Sequence, residues 1–400
     1  MSHTPQLLEL VEYEAMPLHK SALDPALAQA LWRQHGAKIN VEAPSFHNDD
    51  QWVLTPQGWV GYIPLSSDLH LALRPKVPIA NLFRMLEYAY RLGTFFRQDL
   101  VQVESLEELY ERLALVLAQR VLDRARQGLY RDYISLDERT PFIRGRMELR
   151  HAATRPWDHN PHCHYHEHTA DVRENRILAY TLFQIARTGI CTEHSRATVH
   201  QALRCMGHVA SLEPVSPQQC LDLLYHRLNE DYQPLHALCH FFLAHVGPGH
   251  RSGDQQMLPF LINMNQLFES FVAAWLQRAS LPGYRFTDQE KLEWDATNGL
   301  RSSIDLVLWD DALGKPVAVL DTKYKRSVVP EPADVHQGVF YAQGLGCHEA
   351  VLVYPTLLER EIDTYVGDIR VRTLTFDLSG DLDAAGEAFL RELLGERIAG

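Results

Sequence analysis

The stretch from Ser302 to Lys325, SSIDLVLWDDALGKPVAVLDTKYK, constrains the fold more than any other part of this chain. It contains two apolar runs, Ile304–Trp309 and Pro316–Leu320, which flank a polar segment that includes Gly314. Apolar runs of this length on either side of a glycine-containing turn predict two adjacent strands joined by a short connection.

Three charged side chains interrupt or follow these runs: Asp305 lies in the first, Asp321 ends the second, and Lys323 comes two residues later. Because strand side chains alternate between two faces, Asp321 and Lys323 share a face. Carboxylates are costly in apolar strands unless they are paired or bind a metal. A D…DxK string also occurs by chance in loops, but in this strand context it predicts a site that binds Mg²⁺ and positions a water molecule.

The final 140 residues predict a small mixed sheet flanked by helices. The pattern in chain order is a helix over 263–279, a strand near 284–287, the two strands above, a helix over 332–343, strands over 350–354 and 369–376, and a helix over 382–394. Glu269 lies off the apolar stripe of the first helix. Gln337 and Tyr341 are four residues apart on the second helix, so they share a face and are expected to line the same cleft.

The first 76 residues predict a β-rich region. Val53–Leu54 and Trp59–Ile63 flank Thr55–Gly58, which is typical of a hairpin. Residues 35–50 are expected to form a long surface loop or a poorly formed segment. Helices are expected over 81–92 and 105–128, where apolar residues recur at helical spacing.

The middle of the chain predicts a helical layer over 171–247, with helical patterns through Leu203 and again from Ser216 to His245. The predicted fold class is therefore α+β. We expect an N-terminal β-rich and helical domain over 1–150, and a second domain over 151–400 with its core over 263–400.

Residues 142–150, FIRGRMELR, alternate as in a strand whose one face carries Arg144, Arg146 and Arg150. A solvated sheet face is the default interpretation. The alternative is that Arg144 and Arg146 contact phosphate or an acidic partner.

The segment HNPHCHYHEH, residues 159–168, places His162, His164, His166 and His168 on one face of a predicted strand. Histidines at this spacing can bind zinc or another transition metal. The segment lacks the separated second ligand pair of structural zinc sites, so a polar surface strand is the default interpretation.

Composition limits the class of protein. The net charge of −13 argues against a non-specific DNA coat, although local basic patches or a partner can still bring DNA to a nuclease. The 6 cysteines form no CxxC pair, which is typical of reduced thiols in a cytoplasmic protein. The sequence indicates neither a signal peptide nor an apolar run long enough to span a membrane.

Asp305 and the sequence Asp321-Thr-Lys323, in this strand context, resemble the PD-(D/E)xK nuclease fold, and the spacing of Gln337 and Tyr341 resembles the QxxxY element of its RecB-like branch. Further stretches are similar to the McrC family, the endonuclease subunit of McrBC 5-methylcytosine restriction systems. They are RPKVPIANLFRMLEYAY (74–90), FIRGRMEL (142–149), ADVRENRIL (170–178), MNQLFESFV (264–272), IDLVLW and DTKYK. These stretches keep the family order over most of residues 70–345, and the first 65 residues match least.

The resemblance implies a magnesium- or manganese-dependent site with Lys323 orienting or activating the attacking water. The implied catalytic and metal-binding residues are Asp305, Asp321, Lys323, Gln337 and Tyr341, with the Thr322 carbonyl and Glu269 as further metal ligands. One departure is Ile304, where the family usually has proline before the first aspartate. Activity is still expected because no ligand is lost.

The resemblance also implies that this chain cuts double-stranded DNA together with an AAA+ GTPase whose hydrolysis it stimulates through its N-terminal part. The chain has no GxxxxGK[ST] motif, so GTP hydrolysis is expected from another subunit.

Two other hypotheses stay open at this point. The first is an interaction subunit that activates the GTPase without cutting, for which the acidic charge and Ile304 are the arguments. The second is a metal-binding protein built on the histidine strand.

Overall fold

A computed structural model of the chain describes residues 6–66, 69–89, 106–149, 159–187, 191–245, 250–252, 255–257, 260–279, 281–295, 300–325 and 329–395. The chain divides into two compact units. Unit 1 comprises Met1–Leu109, Gly247–Gln255 and Pro259–Gly400, and unit 2 comprises Tyr110–Val246 and Gln256–Leu258. The boundary predicted between residues 150 and 151 separates two functional domains. The division into compact units does not test it, so it stays a prediction.

Both units contain helices and strands. The helices are α1 Pro25–His35, α2 Ile79–Ala89, α3 Leu106–Gln127, α4 Arg173–Arg187, α5 Glu193–Gly207, α6 Gln233–His245, α7 Met264–Arg278, α8 Pro332–Leu345 and α9 Leu382–Leu394. The strands are β1 Gln6–Val11, β2 Met16–Leu18, β3 Ile39–Glu42, β4 Trp52–Pro56, β5 Trp59–Pro64, β6 Leu69–Arg74, β7 Asp132–Arg139, β8 Arg146–Met147, β9 His162–Thr169, β10 His250–Ser252, β11 Gln255–Met257, β12 Phe260–Asn263, β13 Tyr284–Asp295, β14 Leu300–Asp310, β15 Lys315–Thr322, β16 Glu349–Tyr354, β17 Asp363–Val366 and β18 Ile369–Thr375. This mixture confirms the predicted α+β class.

The N-terminal part of unit 1 contains two small sheets over one apolar core. The first sheet has the order β1-β6-β5-β12 and the second the order β2-β4-β3. Leu10, Leu31, Leu54 and Leu71 are all buried in the shared core. Because β12 leads directly into α7, this sheet fixes the start of the helix that carries Glu269.

Three predictions in this region are wrong. The runs around Thr55–Gly58 do not form a hairpin, since β4 and β5 belong to different sheets. The expected loop over 35–50 contains β3. The prediction of a β-rich region also missed helix α1. Pro25 is the first residue of this helix, and the Asp24 side chain caps it by accepting a hydrogen bond from the Ala26 N–H.

The C-terminal part of unit 1 is a six-stranded sheet with the order β13-β14-β15-β16-β18-β17. Strands β13, β14 and β15 are antiparallel neighbours, whereas β15, β16 and β18 run parallel. The turn between β14 and β15 includes Gly314, whose φ of +62° favours glycine. The predicted order of helix, three strands, helix and strand is confirmed, while β17 was missed.

Helices α4, α5 and α6 of unit 2 lie within residues 171–247, so helices are present where the sequence predicted them, while the helical layer as part of a domain stays a prediction. The predicted helix from Ser216 to His245 is too long. Pro217–Cys220 and Glu230–Tyr232 are single 3-10 turns, and only α6 is a regular helix.

The strand predicted over 142–150 is also wrong for most of its length. Only Arg146 and Met147 pair with β9, and Gly145 turns the chain before them with φ +64°. The Arg144 guanidinium lies over the Tyr165 ring at 4.5 Å. Arg146 is paired with His164, and the side chains of His164 and Tyr165 project from opposite faces of β9. The two arginines therefore do not share a face, and Arg150 lies outside the described residues.

None of the described helices combines the length and the apolar composition that a membrane span requires.

Candidate functional site

The register of two neighbouring strands brings the predicted aspartates together. Leu306 of β14 pairs with Leu320 of β15, so the adjacent residues, Asp305 and Asp321, lie opposite each other. Opposed residues of an antiparallel pair point to the same face. Both carboxylates therefore project from one face of the sheet.

The Asp305 carboxylate is fixed by the end of the neighbouring strand. Its Oδ2 accepts hydrogen bonds from the Thr322 N–H and the Thr322 hydroxyl, both at 2.8 Å. Thr322 therefore orients Asp305 through its amide and side chain. The metal contact expected from its carbonyl stays a prediction.

Asp321 and Lys323 form an ion pair at the end of β15. The Lys323 Nζ lies 2.6 Å from Asp321 Oδ2, and Asp321 is only 2% exposed. The backbone N–H of Lys323 donates to the Val353 carbonyl of β16, which fixes where the lysine leaves the sheet. The pair is thus buried and held from the backbone.

A hydrogen-bonded chain extends from Lys323 to helix α8. The Lys323 Nζ donates to Gln337 Oε1 at 2.9 Å, and Gln337 Nε2 donates to the Tyr341 hydroxyl at 2.7 Å. The Ser302 hydroxyl donates to the same tyrosine oxygen at 3.3 Å. Gln337 and Tyr341 are therefore linked to the lysine through hydrogen bonds, and the expectation that they line a common cleft stays a prediction.

Glu269 approaches the same region from helix α7. It accepts a hydrogen bond from Gln289 Nε2, and Gln289 Oε1 accepts one from the Ser303 hydroxyl at 2.8 Å. Gln289 has φ +51° and interrupts the pairing of β13 with β14 opposite Asp305. This local irregularity turns its side chain toward Glu269.

Negative charge accumulates at the site. Burial raises the pKa of Asp321 to about 6, with the Lys323 ammonium opposing the rise and the Asp305 carboxylate adding to it. Burial and then the Asp305 carboxylate raise the pKa of Glu269 to about 7. Among the described residues, these three carboxylates do not form a group whose oxygens all lie within 4.8 Å.

Sequence reasoning missed two residues that support the site. Asp334, on α8 and only 4% exposed, accepts from Lys325 Nζ at 2.9 Å and lies 3.7 Å from Lys323 Nζ. Gln289 positions Glu269. Asp334 lies three residues before Gln337 on the same helix, and this spacing could have indicated that the two side chains share a face. The contact of Gln289 with Glu269 depends on a local irregularity of β13, which the periodicity of the sequence does not reveal.

The N-terminal sheet of unit 1 holds the residue that follows Lys323. The Tyr324 hydroxyl donates to Glu12 Oε1 at 2.6 Å, and the Tyr13 hydroxyl donates to the Tyr324 carbonyl at 3.0 Å. The same Glu12 oxygen accepts the Lys76 N–H at 2.8 Å. Hydrogen bonds therefore hold this segment at two successive residues. Lys323 is held by the Val353 carbonyl of β16, and Tyr324 is held by Glu12 and Tyr13.

Comparisons with known proteins agree with this architecture. Residues 54–355 match the family described as McrBC 5-methylcytosine restriction system component. The chain is 24% identical over 267 residues to the type IV methyl-directed restriction enzyme EcoKMcrBC of Escherichia coli K12, which covers 64% of this chain and 75% of that protein.

A solved structure shares the fold over almost the whole length. It belongs to a half-complex of Thermococcus gammatolerans McrB AAA+ hexamers with bound McrC, with a TM-score of 0.57 and 17% identity, covering 97% of this chain and 99% of that chain. The family match spans more than half of the sequence. The chain belongs to the family of McrBC 5-methylcytosine restriction system components, as a member of the McrC type.

Proposed function

We propose that this chain is a PD-(D/E)xK endonuclease subunit that cuts double-stranded DNA, with Asp305, Asp321 and Lys323 as its catalytic centre. The observation that carries the proposal is the pair of opposed aspartates, Asp305 in the middle of β14 and Asp321 near the end of β15, with Lys323 Nζ 2.6 Å from Asp321. A buried aspartate that lies beside a second carboxylate and a lysine has no evident structural purpose, because an apolar residue would be less costly at the position of Asp321.

The donor set fits Mg²⁺ or Mn²⁺. Asp305, Asp321 and Glu269 offer carboxylate oxygens, which are the ligands that these hard cations prefer. The raised pKa values of Asp321 and Glu269 reflect burial and mutual repulsion that a cation would relieve. A bound cation would supply Lewis-acid activation of the phosphate and a lower pKa of a water molecule.

The side chains of this chain divide the remaining work among them. The Lys323 ammonium holds a positive charge beside the scissile phosphate, where negative charge develops as water attacks phosphorus and the P–O ester bond breaks. Gln337 fixes the direction of that ammonium, and Tyr341 fixes Gln337. Thr322 keeps Asp305 oriented. Such preorganisation lowers the barrier because no group has to reorient during the reaction.

Ile304 does not weaken this proposal. It is fully buried among apolar residues that include Val307 and Val319. Isoleucine is well suited to a buried strand, and the strand keeps Asp305 opposite Asp321 without the proline that the family usually has.

We further propose that cleavage is controlled by an AAA+ GTPase partner whose hydrolysis this chain stimulates. The similar protein from Thermococcus gammatolerans is bound to McrB AAA+ hexamers, and this chain has no phosphate-binding GxxxxGK[ST] motif of its own. The contacts from Glu12 and Tyr13 to Tyr324 offer a physical route from the N-terminal sheet to the catalytic strand.

Replacing Asp321 by asparagine is expected to abolish cleavage, because it removes a cation ligand and the partner of Lys323. The measurement is cleavage of methylated plasmid DNA with Mg²⁺, GTP and the AAA+ partner. We expect a loss of at least about 100-fold. Asp363→Asn is the matched control, since this exposed aspartate pairs with Arg370 on β18.

The same experiment distinguishes the alternative function. If Asp321→Asn cuts as fast as the wild type, the proposed centre is wrong. If neither protein cuts while the GTP hydrolysis of the partner still rises, the chain is a non-cleaving activator.

Replacing Gln337 by alanine is expected to slow cleavage by about 10-fold, because Lys323 then loses its orienting acceptor while keeping its charge. Gln343→Ala, an exposed glutamine on the same helix, is the control. The initial rates of plasmid nicking report the difference. Equal rates for the two variants would remove Gln337 from the catalytic machinery.

Replacing Glu269 by glutamine is expected to stabilise the metal-free protein at pH 8. The raised pKa of about 7, against an ordinary value of 4.5, means that the folded state binds more protons than the unfolded state between these values. Wild-type stability therefore falls as pH rises through this window, and glutamine does not titrate. Urea unfolding should show a gain of about 1 kcal/mol at pH 8, reduced from the full shift because Glu269 is partly exposed, and a much smaller gain at pH 5. A variant that is less stable at pH 8 would contradict the charge accumulation.

A further inference from the structure

One face of the three-stranded sheet in unit 2 carries a group of polar side chains that the proposed nuclease centre does not use. The sheet has the order β7-β9-β8. Cys163 and Tyr165 of β9 are buried on one side. The alternating His162, His164, His166 and His168 project from the other side.

Two of these histidines converge on one carboxylate of the neighbouring strand. Asp137 of β7 pairs directly with His164 of β9. The His162 Nδ1 lies 2.9 Å from Asp137 Oδ1, and the His164 Nδ1 lies 3.2 Å from Asp137 Oδ2. One ligand atom from each of the three residues lies within 4.8 Å of the others, and no other group of His, Cys, Asp or Glu among the described residues meets this condition.

We propose that Asp137, His162 and His164 form a binding site for Zn²⁺ or a similar late first-row divalent ion. Two imidazole nitrogens and one carboxylate oxygen are ligands that these ions prefer, whereas Mg²⁺ and Ca²⁺ prefer oxygen alone. This inference is independent of the nuclease proposal, since it concerns other residues and another class of metal.

The geometry permits such a site with modest adjustment. Ligands of a tetrahedral zinc ion are about 3.3 Å apart, given bond lengths of about 2.0 to 2.1 Å. All three side chains are at least partly exposed, so rotation about their side-chain bonds can close the remaining distance. Glu148 follows β8 with its Oε2 3.6 Å from the His162 Nδ1, and it is the nearest candidate for a fourth ligand.

Charges around the group act in both directions. Arg139 of β7 lies opposite His162 of β9, and Arg146 of β8 lies opposite His164 of β9. Both arginines therefore oppose the binding of a cation. The carboxylates of Asp137 and Glu148 offset them. The ion would join β7 to β9, and with Glu148 also the segment that contains the two-residue strand β8. We therefore assign the site a structural role.

The same strand offers a matched control. His166 and His168 share the face of His162 and His164, but they are paired across the sheet with Ser135 and Tyr133, which offer no carboxylate. The His168 ring lies 4.8 Å from the Tyr133 ring. If only the density of histidines mattered, both pairs would contribute equally to metal binding.

The test is Zn²⁺ uptake by the full chain, prepared without a histidine tag and freed of metal with a chelator. All proteins carry Asp321→Asn, so that the nuclease centre does not contribute. Calorimetric titration with Zn²⁺ should give one equivalent, and Co²⁺ should give the intense visible absorption of a four-coordinate ion. The variant His162→Ala/His164→Ala should lose affinity by about 100-fold or more, while His166→Ala/His168→Ala should keep it.

Asp137→Asn provides a second variant that keeps every histidine, and it decides the matter if the double histidine variant fails to fold. It should weaken Zn²⁺ binding and remove the increase in melting temperature that Zn²⁺ gives the parent protein. The proposal is overturned if the parent takes up no Zn²⁺, if Asp137→Asn binds as tightly as the parent, or if the two histidine pairs contribute equally.

Discussion

The antiparallel register of β14 and β15 is the constraint on which the candidate site depends. It sets Asp305 opposite Asp321, and the backbone bond from Lys323 to Val353 then fixes the lysine where β15 leaves the sheet. A shift of one residue would turn these side chains to the other face. The register is well specified because residues 306–308 of β14 and residues 318–320 of β15 are fully buried. Ordinary apolar packing thus determines where the costly charges lie.

The N-terminal sheet of unit 1 contributes directly to the segment that carries these charges. Glu12 is completely buried, and burial raises the pKa of its carboxyl group despite the hydrogen bonds from Tyr324 and Lys76. Through its hydrogen bond with Tyr324, the buried Glu12 links the end of β1 to the end of β15, which are far apart in the sequence. Movement of the first sheet would therefore be transmitted to the segment that carries Asp321 and Lys323, which is the coupling that the proposed control by a partner requires.

The success of sequence reasoning followed the strength of local patterns. The strands of the Ser302–Lys325 stretch and helix α9 were predicted well, since apolar periodicity and a clear turn or cap agree there. The hairpin around Thr55–Gly58 was wrong because strand pairing is a tertiary choice: β5 pairs with β6 and β12, and β12 lies about 200 residues away along the chain. Gln289 was missed since its role depends on a positive φ that composition does not reveal.

The central claim is that the opposed aspartates form one cation-binding centre, and the most direct measurement is Mn²⁺ binding to the isolated chain by electron paramagnetic resonance. We predict one bound Mn²⁺ per chain, lost in Asp305→Asn/Asp321→Asn and kept in Asp363→Asn. Equal binding by both variants, or no binding by the wild type at millimolar Mn²⁺, would contradict the assignment of the site.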